Sequence, residues 1–499
     1  MTIRWLLCIA LFSLSSAVSA QLKFEEHFLQ TEFKITHPVI TANLLGGEEP
    51  QIVIIGEDES KQRILTTYQL VKDADTQKLR YQEIAMLVIP DNFLAFDLLK
   101  TKDAEKILFQ SNEAIYELDL VTRNFIKIID SPSIYLKEKG QFLAQREFVK
   151  DANGDEIDDI IVPDFRNIQV FLQNEQGDFS KQVLPIDPKI SLSNGSATYS
   201  ETPVYFADLN LDQKHDLIVV KDASFQVFHQ NGNGTFKTDS QLIQVPIDFK
   251  EMNWWEIRES DGEQMDQSSL AYRTVSQLKD INNDSVVDLM VRFSKTDGVL
   301  DRQNNYEIYL GKPNGSKVDF ADKPDSVLEV DGTTVAVKTI DLDGDKKSEV
   351  LLTSLDIGVS QIIGALLSGS IDQDVYVFKM NQDDKYEEDP KVSKDVELSF
   401  SLSSGKRGQP VVKAADFNGD GLKDLLFSNG SKSMKIYMGT DKKRMFKRKS
   451  SKFKVTVPKD GEFVETKDLN NDGKEDLMVR YGRQDDEALK NKVVILMSR

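Results

Sequence analysis

A short acidic pattern recurs along this chain and restricts its possible folds more than any other feature. The pattern has an acidic residue or asparagine at positions 1, 3, 5 and 9, followed by an apolar run. Its six strong copies begin at Asp151, Asp208, Asp280, Asp341, Asp416 and Asp468. Two weaker copies, at Asn43 and Asp97, keep the apolar run but few of the oxygen-bearing side chains. Repeats at fairly even intervals, for example from 43 to 97 and from 97 to 151, predict a repeat fold.

Within each unit, short runs of β-branched and aromatic residues alternate with turn residues. The unit at Asp208 has VYFA before the acidic loop, DLIVV after it, then FQVFHQ, and finally the turn NGNGTF. Apolar runs bounded by Gly and Asn are typical of β-strands. About four strands per unit predict an all-β chain folded as a β-propeller with four-stranded blades. We expect eight blades, or seven if one weak copy is not a blade.

The last unit predicts how the ring closes. It reaches only a third strand, VVILM from Val493, before Arg499. The segment LKFEEHF from Leu22 precedes the first unit and could supply the missing outer strand. We therefore expect the two ends of the chain to pair within one blade.

The acidic loops have the composition of calcium sites. Calcium takes six to eight oxygen ligands at about 2.3–2.6 Å, and side chains at positions 1, 3, 5 and 9 could converge on one ion together with the backbone carbonyl of position 7. An EF-hand has the same opening spacing but places a glutamate at position 12, which here lies in the apolar strand. These loops are therefore expected to join the first and second strands of a blade. Ordinary turns are the alternative, because Asp, Asn and Gly favour turns, but six copies in register favour calcium.

The pattern D-x-N-x-D-x-x-x-D followed by an apolar run resembles the FG-GAP or VCBS repeats of integrin α-subunit head propellers and many exported bacterial proteins. The resemblance covers nearly all of residues 21–499, expected to be a single propeller domain. It implies several structural Ca²⁺ ions. The implied ligands, position 7 through its carbonyl, are Asp151, Asn153, Asp155, Ile157, Asp159; Asp208, Asn210, Asp212, Lys214, Asp216; Asp280, Asn282, Asp284, Val286, Asp288; Asp341, Asp343, Asp345, Lys347, Glu349; Asp416, Asn418, Asp420, Leu422, Asp424; and Asp468, Asn470, Asp472, Lys474, Asp476.

Position 6 divides the six copies into two groups. Only two of them have glycine there, Gly421 and Gly473, where the loop is expected to turn sharply. The other four copies have Glu156, Gln213, Ser285 and Lys346. A residue with a Cβ atom is costly in a left-handed conformation, so we expect these four loops to be weaker sites or more strained.

The N-terminus predicts export. Arg4, an apolar run from Trp5 to Leu14 and small residues ending at Ala20 are typical of a secretory signal peptide, here residues 1–20. About ten apolar residues are too few to span a bilayer, which needs roughly twenty, so cleavage is favoured over an anchor. Cys8 is the only cysteine and lies in this segment. We expect a secreted, periplasmic or cell-surface protein without disulfides, and the lack of cysteine favours a bacterial periplasm or exterior.

The acidic composition narrows the range of partners. The chain has 82 acidic and 62 basic residues and a formal net charge of −20. Nucleic acids and anionic membranes require a basic surface, so neither is an expected partner. The charge suits cation binding, but on charge alone the favoured interpretation is that it keeps an exported protein soluble. We expect a monomer.

Three features outside the loops have both a functional and a structural interpretation. Trp254 and Trp255 could stack on sugar rings, but packing against the ring is favoured. Apolar residues spaced from Val359 to Leu367 predict a short amphipathic helix that covers a propeller face or, alternatively, acts as a lid. The stretch KKRMFKRKSSKFK from Lys442 could hold an anionic glycan or lipid headgroup. Its position after a third strand favours the outer edge of a blade, where lysines discourage edge-to-edge pairing.

No catalytic residue is predicted. The chain has no G-x-S-x-G motif or phosphate-binding glycine loop, and carboxylates are too numerous to single out a glycosidase pair. The histidines, which show no metal-ligand spacing, are His27, His37, His215 and His229. The sequence predicts an exported, calcium-binding propeller that acts as a binding or interaction scaffold for an unidentified protein or glycan. The alternatives are a carbohydrate-active enzyme such as a polysaccharide lyase and a cell-surface adhesion module.

Overall fold

The computed structural model describes residues 22–47, 49–102, 104–137, 142–193, 196–249, 271–296, 302–330, 333–355, 370–399, 409–442 and 444–499. The predicted signal peptide, the tryptophan pair and the predicted helix near residue 360 lie outside these ranges. The described residues form an eight-bladed β-propeller, which confirms the all-β prediction and the favoured blade number. In these ranges, no helix has the length and apolar character needed to cross a membrane.

Blades 1 to 4 follow one another along the chain, after a first strand, β1 (Phe24–Gln30), that belongs to the last blade. Blade 1 contains β2 (Lys34–Ile35), β3 (Ile40–Ala42), β4 (Gln51–Glu57), β5 (Arg63–Lys72) and β6 (Leu79–Val88). Blade 2 contains β7 (Phe93–Lys100), β8 (Glu105–Ser111), β9 (Ala114–Asp119), β10 (Asn124–Asp130) and, after helix α1 (Ile134–Lys137), β11 (Ala144–Gln145). Blade 3 contains β12 (Val149–Lys150), β13 (Asp159–Asp164), β14 (Asn167–Gln173) and β15 (Phe179–Leu184). After a hairpin of β16 (Lys189–Ser193) and β17 (Ser196–Ser200), blade 4 contains β18 (Val204–Ala207), β19 (Asp216–Lys221), β20 (Ser224–Phe228) and β21 (Gln241–Gln244).

Blades 5 to 8 complete the ring. Blade 5 contains β22 (Ala271–Lys279), β23 (Asp288–Thr296), β24 (Arg302–Tyr309), a hairpin of β25 (Lys312–Pro313) and β26 (Val318–Asp319), and β27 (Ser326–Leu328). Blade 6 contains β28 (Thr333–Ile340), β29 (Glu349–Leu355), β30 (Ser370–Phe378) and β31 (Val392–Ser399). Blade 7 contains β32 (Val412–Ala415), β33 (Asp424–Ser428), β34 (Ser433–Tyr437) and β35 (Ser451–Lys454). Blade 8 contains β36 (Val464–Lys467), β37 (Asp476–Arg480), β38 (Lys492–Ser498) and β1; single 3-10 turns lie at Gly461–Phe463 and Glu487–Leu489.

The second strand of a blade is buried on both faces over most of its length. Every residue of β33 and of β37 is buried, which explains why the run after each acidic loop is continuously apolar instead of alternating. A strand has a continuously apolar sequence when both faces of its sheet are covered. In a propeller the covering elements are the two adjacent blades.

The hydrophobic core is divided into clusters, and the larger ones each join two neighbouring blades. The cluster between blades 7 and 8, for example, contains Leu426 from β33 and Leu477 from β37. Another cluster brings together Ile52 and Ile54 of blade 1 with Met478 and Ile495 of blade 8. The first and last blades are therefore packed against each other, and the ring is closed.

The ends of the described chain meet in blade 8. Strand β1 pairs antiparallel with β38, in a register that runs from Phe24 opposite Ser498 to Gln30 opposite Lys492. The segment from Leu22 thus supplies the outer strand of the last blade, as predicted. One sheet therefore contains strands from both ends of the chain.

Candidate metal centres

The six strong copies of the acidic pattern lie between the first and second strands of a blade, as predicted. We call them carboxylate loops and number each by its blade. They are loop 3 (151–159), loop 4 (208–216), loop 5 (280–288), loop 6 (341–349), loop 7 (416–424) and loop 8 (468–476). Neighbouring loops touch: the N–H of Glu475 donates to Asp416 O at 2.7 Å, and that of Lys423 donates to Leu342 O at 3.0 Å. Loops 6, 7 and 8 therefore form one continuous arc.

The carboxylate at position 9 anchors each loop to the rest of its blade. It is the first residue of the second strand and is fully buried in all six loops. In loop 7, Asp424 Oδ2 accepts a hydrogen bond from the N–H of Phe417 at 3.1 Å, and Oδ1 accepts one from Gly439, just beyond the third strand, at 2.7 Å. Loops 3, 4, 5 and 8 repeat both bonds. This residue therefore ties the start of the loop to the third strand.

Burial makes the charged form of this carboxylate costly. Desolvation raises the pKa of Asp159, Asp424 and Asp476 to about 7, backbone hydrogen bonds offset part of the shift, and the carboxylates at positions 1 and 5 add to it. A cation held beside these groups would favour their charged form. The electrostatics of the loops therefore fit a metal ion.

The side chains at positions 1, 3 and 5 fold inward and shape the loop. In loop 7, Asp416 Oδ2 accepts from the N–H of Gly421 at 2.7 Å, and Asp420 Oδ1 accepts from that of Leu422 at 3.0 Å. Both bonds recur in all six loops. Asn418 Nδ2 donates to Asp420 Oδ2 at 2.9 Å, and the asparagines of loops 3, 5 and 8 make the same contact. The predicted side-chain ligands are thus gathered within each loop.

Two positions of every loop have a left-handed backbone. Position 6 was expected to be left-handed and is so in all six loops, at Glu156, Gln213, Ser285, Lys346, Gly421 and Gly473, with φ between 65° and 87°. Position 4, which the sequence analysis did not single out, is also left-handed in all six, at Gly154, Leu211, Asn283, Gly344, Gly419 and Asn471. The recurrence of Gly and Asn at position 4 was the available sequence signal, because these residues tolerate that conformation. Leu211 is the exception and carries the larger strain.

A lysine that the sequence did not reveal as part of the site lies beside loop 6. One carboxylate oxygen from each of Asp341, Asp343 and Asp345 lies within 4.8 Å of the others. Lys379 follows the third strand of the same blade, and its Nζ contacts Asp343 Oδ2, lies 2.9 Å from Asp345 Oδ2 and lies 3.4 Å from Glu349 Oε1. The available signal was a lysine after the apolar run VYVF in a blade whose loop has a fourth carboxylate in place of asparagine.

Loop 4 has a histidine at the equivalent strand position. His229 Nδ1 lies 3.0 Å from Asp216 Oδ2 and 3.5 Å from Asn210 Nδ2, and its Nε2 lies 3.0 Å from Gln241 Oε1. Sequence spacing did not place this ring beside a loop carboxylate. The residue that follows the third strand therefore contacts the carboxylates of two of the six loops.

The two weak copies keep only parts of this arrangement. In blade 1, Gln51 occupies position 9, is buried, and accepts from the N–H of Leu44 at 2.8 Å, so an amide replaces the anchoring carboxylate. In blade 2, Asp97 lies within β7 itself and accepts from the N–H of Val149 at 2.9 Å. Among the described residues of these two copies, the carboxylates are not gathered as they are in the six loops.

The basic stretch after Lys442 reaches the outer strand of blade 7, β35, as the sequence analysis favoured. Together with the outer strand of blade 6 it lines a groove of about 220 Å³. We call this the basic groove; its cationic lining residues are Lys391, Lys394, Arg444, Lys447 and Arg448. Lys394 Nζ lies 5.2 Å from the ring centroid of Tyr437 at its floor. The ion pairs found among the described residues do not involve Arg444, Lys447 or Arg448.

Comparison with known proteins supports the repeat resemblance. Residues 151–219 and 416–479 match the family model described as an FG-GAP-like repeat, and these segments contain loops 3, 4, 7 and 8. A search of curated proteins finds no match. Similar solved structures include Sqt1 from Chaetomium thermophilum, with 9% identity, a TM-score of 0.44, and coverage of 95% of this chain and 98% of that chain. The same protein bound to the N-terminus of ribosomal protein L10 has 10% identity, a TM-score of 0.43 and the same coverage. The WD40 domain of SCAP from fission yeast has 9% identity, a TM-score of 0.36, and coverage of 95% and 98%.

Proposed function

We propose that this chain, which carries FG-GAP-like repeats in an eight-bladed propeller, is an exported binding scaffold stabilised by calcium. The observation that carries the proposal is the repetition of one loop geometry, with inward-turned oxygens at positions 1, 3 and 5 and a buried carboxylate at position 9. Oxygen-rich loops of this kind suit a hard cation such as Ca²⁺. Position 7 would add its backbone carbonyl.

The role proposed for calcium is structural. Each loop holds three or four carboxylates close together, and one of them is fully buried, so their mutual repulsion disfavours the folded loop. A metal that binds the folded chain and not the unfolded chain stabilises the fold. Contacts between loops 6, 7 and 8 would extend this effect from one blade to the next.

The basic groove is the surface that we propose for ligand binding. It gathers cations from two blades of a chain whose formal net charge is −20. Such a local concentration of positive charge attracts an anionic ligand against the field of the whole molecule. A glycan that carries carboxylate or sulfate groups fits this chemistry, and Tyr437 offers a ring for stacking.

Chelation tests the structural role. We expect the purified protein without its signal segment to melt several degrees lower in EDTA than in millimolar calcium, because each site at 100 times its Kd contributes about 2.7 kcal/mol. Asp420→Asn in loop 7 should lose part of the calcium-induced rise in Tm. The exposed residue Asp75, in the turn between β5 and β6, provides the control variant Asp75→Asn, which should retain all of it.

The same purified protein distinguishes a binding scaffold from the two alternative functions, a carbohydrate-active enzyme and an adhesion module. Incubation with a panel of acidic and neutral glycans should leave every glycan intact, whereas turnover of any of them would favour a carbohydrate-active enzyme such as a lyase. A melting temperature that EDTA leaves unchanged would contradict the structural role of calcium. Binding to whole cells without binding to isolated glycans would favour an adhesion module.

A further inference from the structure

We propose that loop 6 takes no calcium ion, because the ammonium group of Lys379 already occupies the position of the cation. This inference rests on the proposed calcium binding of the other loops and refines it. Calcium would then offset the carboxylate charges of the other loops, whereas the ammonium group of Lys379 would offset those of loop 6. The lysine would make blade 6 independent of the calcium concentration.

The contacts of Lys379 are those expected of the ion itself. Its Nζ reaches oxygens of Asp343, Asp345 and Glu349, which are positions 3, 5 and 9 of the loop. These are three of the four side-chain positions from which calcium would be bound at about 2.3–2.6 Å. A calcium ion on the same oxygens would lie against the ammonium group, and two like charges at that distance repel strongly.

The lysine also replaces a hydrogen bond that the other loops make internally. In loops 3, 5, 7 and 8 the asparagine at position 3 donates to the carboxylate at position 5. Loop 6 has Asp343 at position 3, which cannot donate when charged, and the bond to Asp345 Oδ2 comes from Lys379 Nζ at 2.9 Å. Lys379 therefore supplies to position 5 the hydrogen bond that the asparagine at position 3 supplies in those four loops.

The position-9 residue of loop 6 also differs from its counterparts, and the difference favours contact with Lys379. In loops 3, 4, 5, 7 and 8, one oxygen of this carboxylate accepts from a backbone N–H at or just beyond the end of the third strand. In loop 6 the longer side chain of Glu349 still accepts from the N–H of Leu342 through Oε2, at 2.8 Å. Its Oε1 instead lies 3.4 Å from Lys379 Nζ. Glutamate here directs a buried charge towards the lysine.

Apolar residues occupy the position equivalent to Lys379 in four of the other five blades that carry a carboxylate loop. Each of these residues directly precedes the one whose N–H binds the position-9 carboxylate. They are Leu172, Leu310, Met438 and Met497. The Lys379 side chain is 22% exposed and that of Glu349 is 0% exposed, so this ion pair is shielded from water more than a surface pair. Among these six blades, only blade 6 has a lysine at this position, and the lysine lies against a buried carboxylate.

Calcium stoichiometry tests the inference. Equilibrium dialysis of the protein without its signal segment, followed by elemental analysis, should show one more calcium ion per chain for Lys379→Met than for the wild type. Asp343→Asn in the wild-type background should leave the number unchanged, since loop 6 would hold no ion to lose. Lys338→Met, which removes an exposed lysine from strand β28 of the same blade, is the matched control and should also leave it unchanged.

The reverse exchange provides a second measurement if Lys379→Met does not fold. Transferring the pair to loop 7, as Asn418→Asp with Met438→Lys, should remove one calcium ion per chain. The inference is overturned if Lys379→Met gains no ion, if Asp343→Asn loses one, or if the transferred pair loses none. A wild-type protein that binds no calcium at all would instead overturn the proposed function on which the inference rests.

Discussion

At the residue scale, the carboxylate loops depend on backbone conformations that few side chains tolerate. Positions 4 and 6 are left-handed in every loop, yet Gly421 and Gly473 are the only glycines at position 6. An L-residue in this conformation costs roughly 1–2 kcal/mol, because its Cβ approaches the following carbonyl oxygen. The loops without glycine therefore hold strain that the rest of the blade must offset.

Gly421→Ala should destabilise the protein by about 1 kcal/mol, since the cost of a left-handed alanine exceeds the entropy gained in the unfolded chain. A Cβ at Gly421 would meet no atom within 4 Å, so the effect isolates backbone conformation. Gly232 also has open space around it but no positive φ, and Gly232→Ala should leave stability unchanged or slightly raised. The measurement is urea denaturation in EDTA, and equal stability of the two variants would contradict the conformational argument.

At the element scale, equivalent grooves between blades differ in their charge. The groove between blades 2 and 3 also contains lysines, but Lys106 Nζ there lies 2.9 Å from Glu117 Oε2. In the basic groove, Arg444, Lys447 and Arg448 are exposed and have no ion pair among the described residues. Strand architecture is thus shared, while the side chains of the outer strands decide what a groove attracts.

Lys447→Ser combined with Arg448→Ser should weaken retention on an immobilised sulfated polysaccharide, so that the protein elutes at a lower salt concentration. The expected reason is the loss of two unpaired charges from one groove, an interaction that salt screens. Lys106→Ser combined with Lys181→Ser removes the same charge from the groove between blades 2 and 3 and should elute like the wild type. Equal shifts for both double variants would show that net charge, not the groove, governs retention.

At the scale of the whole molecule, ring closure depends on a single strand from the start of the described chain. Strand β1 pairs with β38 along its full length and contributes the buried side chain of Leu29. Phe24 packs against Phe453 of blade 7, with ring centroids 4.7 Å apart. The strand therefore links blade 8 to its neighbours on both sides, because the cluster that contains Leu29 also includes residues of blade 1.

Removing β1, by starting the chain at Thr31, should lower the Tm by many degrees, because blade 8 loses its outer strand and several kcal/mol of apolar burial. A synthetic peptide of residues 22–31 added in excess should restore part of the loss by pairing with the exposed edge of β38. A scrambled peptide of the same composition serves as the control. If the truncated chain had the same Tm as the full-length protein, ring closure would not require β1.

The repeat, the all-β blades, the position of the six loops and the pairing of the chain ends are predictable from the sequence. The first three follow from local patterns, since turn residues, apolar runs and a left-handed position 6 are dictated by neighbours along the chain. The pairing of the ends follows from counting strands, because the last unit lacks its outer strand. Only the folded structure shows that Lys379 reaches the carboxylates of loop 6, that His229 lies beside Asp216, and that the position-9 carboxylates of the other five loops accept a backbone hydrogen bond at the end of the third strand. Those contacts join residues that are distant in sequence, and they depend on the register between strands, which no local pattern specifies.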